Sequence, residues 1–118
     1  MRSHKDLIVY QRSLLYVKSI YDLSCDFPEV EKFGLTSQIR RAAVSVPSNI
    51  AEGAARRSAK EFLQFLYIAL GSLSEVETQI EIAKLLDYSV DIDSILEENI
   101  QLRRMLLKLI ENIKNKIY

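Results

Sequence analysis

A chain of 118 residues, 48% of them apolar and 27% charged, can bury a core without disulfides or metals, and its size suits a single domain spanning 1–118. Its 16 basic and 16 acidic residues cancel, so total charge supplies no general drive toward polyanions, and one cysteine, Cys25, excludes an internal disulfide or a cysteine zinc cluster. Three glycines and two prolines argue for long regular elements and against an all-β design.

The first predicted helix runs from about Asp6 to Ser24. Leu7, Tyr10, Leu14, Val17 and Tyr21 recur at helical spacing, and Val9, Tyr16, Ile20 and Leu23 widen the apolar face. His4, the only histidine, precedes it and is expected to be solvated. Cys25 is expected to be small and partly buried. The connector from Cys25 to Gly34 is punctuated by Pro28 and Gly34, and Phe27 and Phe33 are expected to fold back onto the bundle end. Thr36 is a suitable N-cap for a second helix over 36–57. Leu35, Ile39, Ala43, Val46, Ile50 and Gly53 share one face of that helix. Pro47 deletes one backbone hydrogen bond inside it, so one kinked helix is expected.

Ser58-Ala-Lys-Glu61 has the spacing of a capping box and opens a third helix over 59–86. Phe62, Leu66, Ala69, Leu73, Val76, Ile80 and Ala83 form its core stripe. Its first half is apolar nearly all round, which one small bundle core does not cover. Phe65, Tyr67 and Ile68 are therefore expected at an interface between copies of the chain. A fourth helix over 92–116 carries Ile95, Leu102, Leu106, Leu109 and Ile113, with acids early and bases late, as the helix dipole favours. Four helices of similar length with short connections predict an all-α, antiparallel up-down-up-down four-helix bundle.

The charge is sorted along the chain. Arg40, Arg41, Arg56, Arg57 and Lys60 lie close in sequence with Glu52 as the one acid among them. These five bases are the candidate nucleic-acid contacts, made to phosphates and therefore salt-sensitive and indifferent to sequence. On the helical wheel, Arg41, Ser45, Asn49, Glu52 and Arg56 share a polar stripe. Arg41, Ser45, Asn49 and Glu52, with Glu75 reaching Arg41 or Asn49 from the third helix, are expected to form a network that holds the fold. Arg40 and Arg57 then point outward and remain for a partner.

Enzyme chemistry finds no foothold. His4, the one histidine, is far in sequence from Ser45, Asn49 and Glu52, which therefore make no hydrolase arrangement, and the Glu-x-x-His pairs of a di-iron bundle are missing, as are phosphate-binding glycine loops. No cofactor or metal is expected. The first fifteen residues are broken by charges, and no apolar run approaches the roughly 20 residues needed to span a bilayer. A cytoplasmic protein without membrane contact is expected.

The run from Gln38 to Gly53, QIRRAAVSVPSNIAEG, followed by Gly71-Ser-Leu-Ser-Glu75, resembles the four-helix-bundle family encoded in 23S rRNA intervening sequences, a family also labelled ribosomal. It is similar, too, to the accessory protein of diversity-generating retroelements. The likeness extends from Leu7 to the end of the fourth helix. It implies a four-helix bundle assembled as a ring-shaped homopentamer. Through the retroelement relatives it implies a basic surface that contacts nucleic acid, RNA or DNA/RNA, and a reverse transcriptase as protein partner. Two functions stay open: a self-associating scaffold that binds nucleic acid, and a protein–protein adaptor without a nucleic-acid role.

Overall fold

The computed structural model describes residues 3, 4, 7–89 and 91–117, and they form four helices. These are α1 (Ile8–Ser24), α2 (Leu35–Ala54), α3 (Ala59–Leu85) and α4 (Asp93–Ile117), with one 3₁₀ turn, Glu29–Glu31, between α1 and α2. The start expected at Asp6 lies outside the described residues. Each helix packs on its neighbours in sequence, and α4 closes the square on α1. The result is an antiparallel four-helix bundle 46 Å long and about half as wide, 23 by 20 Å.

Helix α1 presents the core with the second of its two apolar stripes. Val9, Tyr16, Ile20 and Leu23 are buried, together with Ser13 and Ser24. Leu14 and Tyr21, on the stripe expected to lead, are exposed, and Leu7, Tyr10 and Val17 are only partly covered. Both stripes have helical period, so periodicity alone could not rank them. The serines on the inner face bond within their own helix: Ser13 Oγ donates to the Tyr10 carbonyl and Ser24 Oγ to the Ile20 carbonyl. Burying them therefore leaves no hydroxyl unmet.

The α1–α2 connector departs from expectation at its cap and at one aromatic. Gly34, not Thr36, is the N-cap of α2, and the free Leu35 N–H is met by Glu31 Oε1 at 3.0 Å. A Cβ at Gly34 would stand 2.7 Å from that oxygen, so glycine keeps the carboxylate's place open. Phe27 is buried and meets the Tyr88 ring at 5.7 Å, whereas Phe33 points into solvent. Cys25 is exposed rather than partly buried. His4 lies edge-on to Tyr10, with ring centroids 4.7 Å apart.

Glu31 also accepts from Tyr88 Oη at 2.8 Å, joining the α1–α2 connector to the α3–α4 turn. The Leu35 N–H first, and the Tyr88 hydroxyl second, hold the Glu31 carboxyl below the ordinary range. A carboxyl whose pKa falls on folding adds stability above its unfolded pKa, and that contribution is lost as pH drops through the lowered value. Glu31→Gln is therefore expected to be less stable than the parent at neutral pH, with the gap closing in acid. Urea midpoints measured from neutral pH down to about pH 3 check this. A gap that stays constant with pH would mean the carboxylate charge plays no part.

Helix α2 runs through Pro47 as one element, and Pro47 is itself buried on its inner face. It ends at Ala54, so Arg56 and Arg57 stand in the turn beyond it. The α2–α3 contact is the most extensive in the bundle. Ala42, Ala43 and Gly53 on α2 are buried, as are Ala69 and Ser72 on α3, and such small side chains let two helices come close; Gly53 lies against Phe62 and Phe65. At the start of α3, the Glu61 N–H donates to Ser58 Oγ at 3.1 Å, and Ser58 Oγ donates to Glu61 Oε1 at 3.2 Å. The glutamate thus returns to the serine hydroxyl rather than to its amide. At the far end Asp87 takes φ 58°, with Tyr88 N–H on the Ala83 carbonyl and Asp87 N–H on that of Lys84, a Schellman stop.

Candidate nucleic-acid interface

The five bases between Arg40 and Lys60 do not gather. Arg40 and Arg41 lie in the first half of α2, and Arg56, Arg57 and Lys60 lie at the other end of the bundle. About 20 Å of helix separates the groups at roughly 1.5 Å per residue.

Arg40 is not an outward arginine. Its Nε donates to Ser24 Oγ at 2.7 Å, and its Nη2 reaches the Tyr21 carbonyl at 3.2 Å and Cys25 Sγ at 3.7 Å. Its guanidinium carbon sits 4.6 Å from the Tyr21 ring centroid. The last carbonyls of a helix lack partners, and here a cation from the next helix serves the end of α1. Pointing away from the core face of α2 turns out to mean pointing at the end of α1. Arg41 is exposed and lines a groove with Tyr21, Ser37 and Val44. Among the described residues it makes no hydrogen bond or ion pair.

The polar stripe joins helices, but with other members than expected. Asn49 Nδ2 donates to the Ser45 carbonyl at 2.8 Å and to Ser45 Oγ at 2.9 Å. Ser45 Oγ lies 2.8 Å from Ser72 Oγ, which donates in turn to the Ile68 carbonyl. Ser45 is thus left to donate to Ser72. Arg41 is exposed and takes no part. Glu75 meets neither Arg41 nor Asn49: it is exposed and accepts from Gln79 Nε2 at 3.3 Å. Among the described residues Glu52 pairs with Arg56 alone, at 3.0 Å on the surface, and such a pair adds little stability.

A deeper polar contact lies elsewhere. Asn99, fully buried on α4, donates from Nδ2 to Tyr16 Oη at 2.8 Å and to the Leu73 carbonyl at 3.0 Å. Burial pushes the Tyr16 hydroxyl well above its usual range, so it stays neutral. One sign of Asn99 was present in the sequence. It fills a core position of the series Ile95, Asn99, Leu102, Leu106, where an apolar residue would otherwise stand. Ser72 gave no such sign.

The cations that do gather come from two distant stretches of sequence. Because α3 and α4 are antiparallel neighbours, the last turns of α4 lie beside the first turns of α3. Lys114 Nζ is 5.9 Å from the Tyr67 ring centroid, on the same end as Arg57 and Lys60. Lys116 follows on α4, and Arg57, Lys60, Lys114 and Lys116 are all exposed. Arg56 is partly spent, on Glu52 and over the Phe65 ring at 4.7 Å. The opposite end carries Asp22, Asp26, Asp91, Asp93 and Glu97, all exposed. A chain of zero net charge is thus polarised along its length, basic at one end and acidic at the other.

Of the residues expected between copies, Phe65 is largely consumed inside the chain, against Gly53 and under Arg56. Tyr67 and Ile68 remain 45% and 51% exposed. Ile82, Leu85 and Leu86 are exposed at the other end of α3 and its cap, and Leu14 and Val44 flank a groove of about 370 Å³ between α1 and α2. Among the described residues no three His, Cys, Asp or Glu side chains come together as metal ligands, and no helix is long and apolar enough to cross a membrane.

The sequence profile of the 23S rRNA-intervening sequence proteins matches residues 5–108. The chain belongs to that family. A crystal structure at 1.70 Å of a protein of unknown function from Bacteroides thetaiotaomicron VPI-5482, described as of the S23 ribosomal protein family, has a similar fold. It superposes with a TM-score of 0.81 at 26% identity, covering 87% of this chain and 98% of the other. No curated protein matches the chain. The family span includes α1, α2, α3 and most of α4 but stops short of Lys114 and Lys116, half of the basic end.

Proposed function

We propose that the protein is a non-enzymatic, self-associating helical bundle whose basic end docks on the phosphates of RNA or a DNA/RNA hybrid. The observation that carries this reading is the placement of exposed Arg57, Lys60, Lys114 and Lys116 at one end of the bundle, while Asp22, Asp26, Asp91, Asp93 and Glu97 stand at the other. Cations grouped at one end of a protein set the local potential that a polyanion meets, and net charge does not report it. Self-association would repeat the basic end and add weak contacts. It is supported by exposed apolar side chains on separate helices, Leu14 and Val44 on one side and Ile68 and Ile82 on α3, which suit a head-to-tail contact. A homopentamer is the form the family resemblance favours, and a reverse transcriptase is the protein partner it suggests.

Filter retention of structured RNA and of a DNA/RNA hybrid tests the nucleic-acid reading. Micromolar protein is expected to retain both at about 50 mM salt and to release them steeply as salt rises. Charge reversal at Arg57, Lys60 and Lys114 together is expected to abolish retention, while Arg41→Glu keeps most of it. No retention by the parent protein at low salt would reject the reading and leave the adaptor role, which the same apolar surfaces support. Light scattering checks self-association: a monomer mass at tens of micromolar would reject it.

A further inference from the structure

Gly53 and Gly71 are both glycines of helical segments, and only one of them is explained by packing. A Cβ at Gly53 would stand 2.6 Å from Phe65 Cβ, whereas nothing lies within 4 Å of the place a Cβ at Gly71 would take. Glycine in the interior of a helix is less favourable than alanine, so Gly71 weakens α3 with no return inside the chain. Helical side chains lean toward the N-terminus, so a side chain at 71 would lie over the turn that carries Tyr67 and Ile68. Its absence bares the flank of the Tyr67 ring.

That ring belongs to the basic end. Tyr67 is two turns along α3 from Lys60, remains 45% exposed with Lys114 Nζ 5.9 Å from its centroid, and its hydroxyl makes no hydrogen bond among the described residues. Three exposed acids stand around the surface, and Glu61, beside Lys60 in sequence, accepts from Ser58 Oγ. Glu111 is one turn before Lys114 on α4, and Glu75 is one turn past Gly71 on α3, where Gln79 holds it. An anionic strand is therefore favoured on the Lys60–Lys114 side of the ring and disfavoured beyond Gly71.

The geometry points to a stacking shelf for single-stranded nucleic acid: a base lies against Tyr67 in the space left by Gly71, and Lys60 and Lys114 take the flanking phosphates. This rests on the phosphate-binding reading of the basic end and narrows its substrate class. Every base has a π-face, so stacking on an aromatic ring serves any sequence, but it needs a base that is free of its own stack. A duplex would meet the lysines alone.

Fluorescence anisotropy with a labelled oligouridine and a labelled RNA duplex of equal length tests the shelf. Tyr67→Leu is expected to weaken oligouridine binding about 5- to 100-fold and to leave duplex binding nearly unchanged. Tyr67→Phe should bind as the parent does, because the ring face is kept. Gly71→Val should weaken the single strand selectively by filling the shelf, with circular dichroism checking that α3 is intact. An unchanged oligouridine affinity in Tyr67→Leu overturns the shelf, as does an equal loss on both probes. If the Arg57, Lys60 and Lys114 reversal abolishes binding while Tyr67→Leu does not, the shelf alone fails. If the parent protein binds neither probe, the phosphate-binding reading fails and the shelf with it.

Discussion

Alanine at Gly53 is expected to lower stability by about 1–3 kcal/mol, a cost typical of adding a methyl group to a packed contact. The new Cβ would fall 2.6 Å from Phe65 Cβ, 2.9 Å from Phe62 Cδ1 and 3.3 Å from the Phe62 carbonyl. The first of these atoms is bonded directly to backbone and the last is backbone. Neither can swing aside as the tip of a long side chain could, so α2 and α3 must part. Alanine at Gly71 meets open space and is expected to raise stability by about 1 kcal/mol through helix propensity. Urea unfolding of the two variants gives the comparison directly. Equal shifts of the same sign would mean that the α2–α3 junction yields freely.

Removal of the Asn99 side chain is the second large effect. Asn99→Ala is expected to cost about 2–4 kcal/mol, combining a cavity with a Tyr16 hydroxyl left without its partner at 1% exposure. Tyr16→Phe strands one Asn99 donor and is expected to cost about 1–3 kcal/mol. The double variant Tyr16→Phe, Asn99→Leu removes both polar partners and restores apolar volume. Its loss is expected to fall short of the sum of the single-variant losses by about 0.5–3 kcal/mol, the usual coupling of residues in contact. Among the described residues the buried Asn99 Oδ1 has no partner, which adds to the gain from an apolar replacement. Additive losses in urea midpoints would show that the contact between α1 and α4 is not an energetic unit.

Much of the bundle was legible because its signals are local. The stripe of Leu66, Ala69, Leu73, Val76, Ile80 and Ala83 is buried along α3, and Ile95, Leu102, Leu106 and Ile113 are buried along α4. Their spacing is the helical period, contained in a few turns of chain. Ser58 caps α3 through a bond to a residue three positions on. The candidate site was much less legible. Arg40 reads as outward on the wheel of its own helix, yet it ends on Ser24 and Tyr21 of another. Thr36 reads as a cap, yet Glu31 gets to the first amide before it. Glu75 reads as a partner for Arg41 or Asn49, yet Gln79, one turn away on its own helix, takes it.

From the residues alone came the four helices, their antiparallel order and the apolar stripes of α2, α3 and α4, because each depends on periodicity and on bonds within a turn or two. Tertiary structure decided which stripe of α1 enters the core, since only neighbouring helices can choose between two faces of equal period. It decided that Arg40 closes α1, and that Asn99 meets Tyr16 across the bundle from the far side of the sequence. It also made the basic end. Residues 57 and 60 share an end of the bundle with 114 and 116 only because α3 and α4 run antiparallel side by side, and no feature of either stretch announces the other.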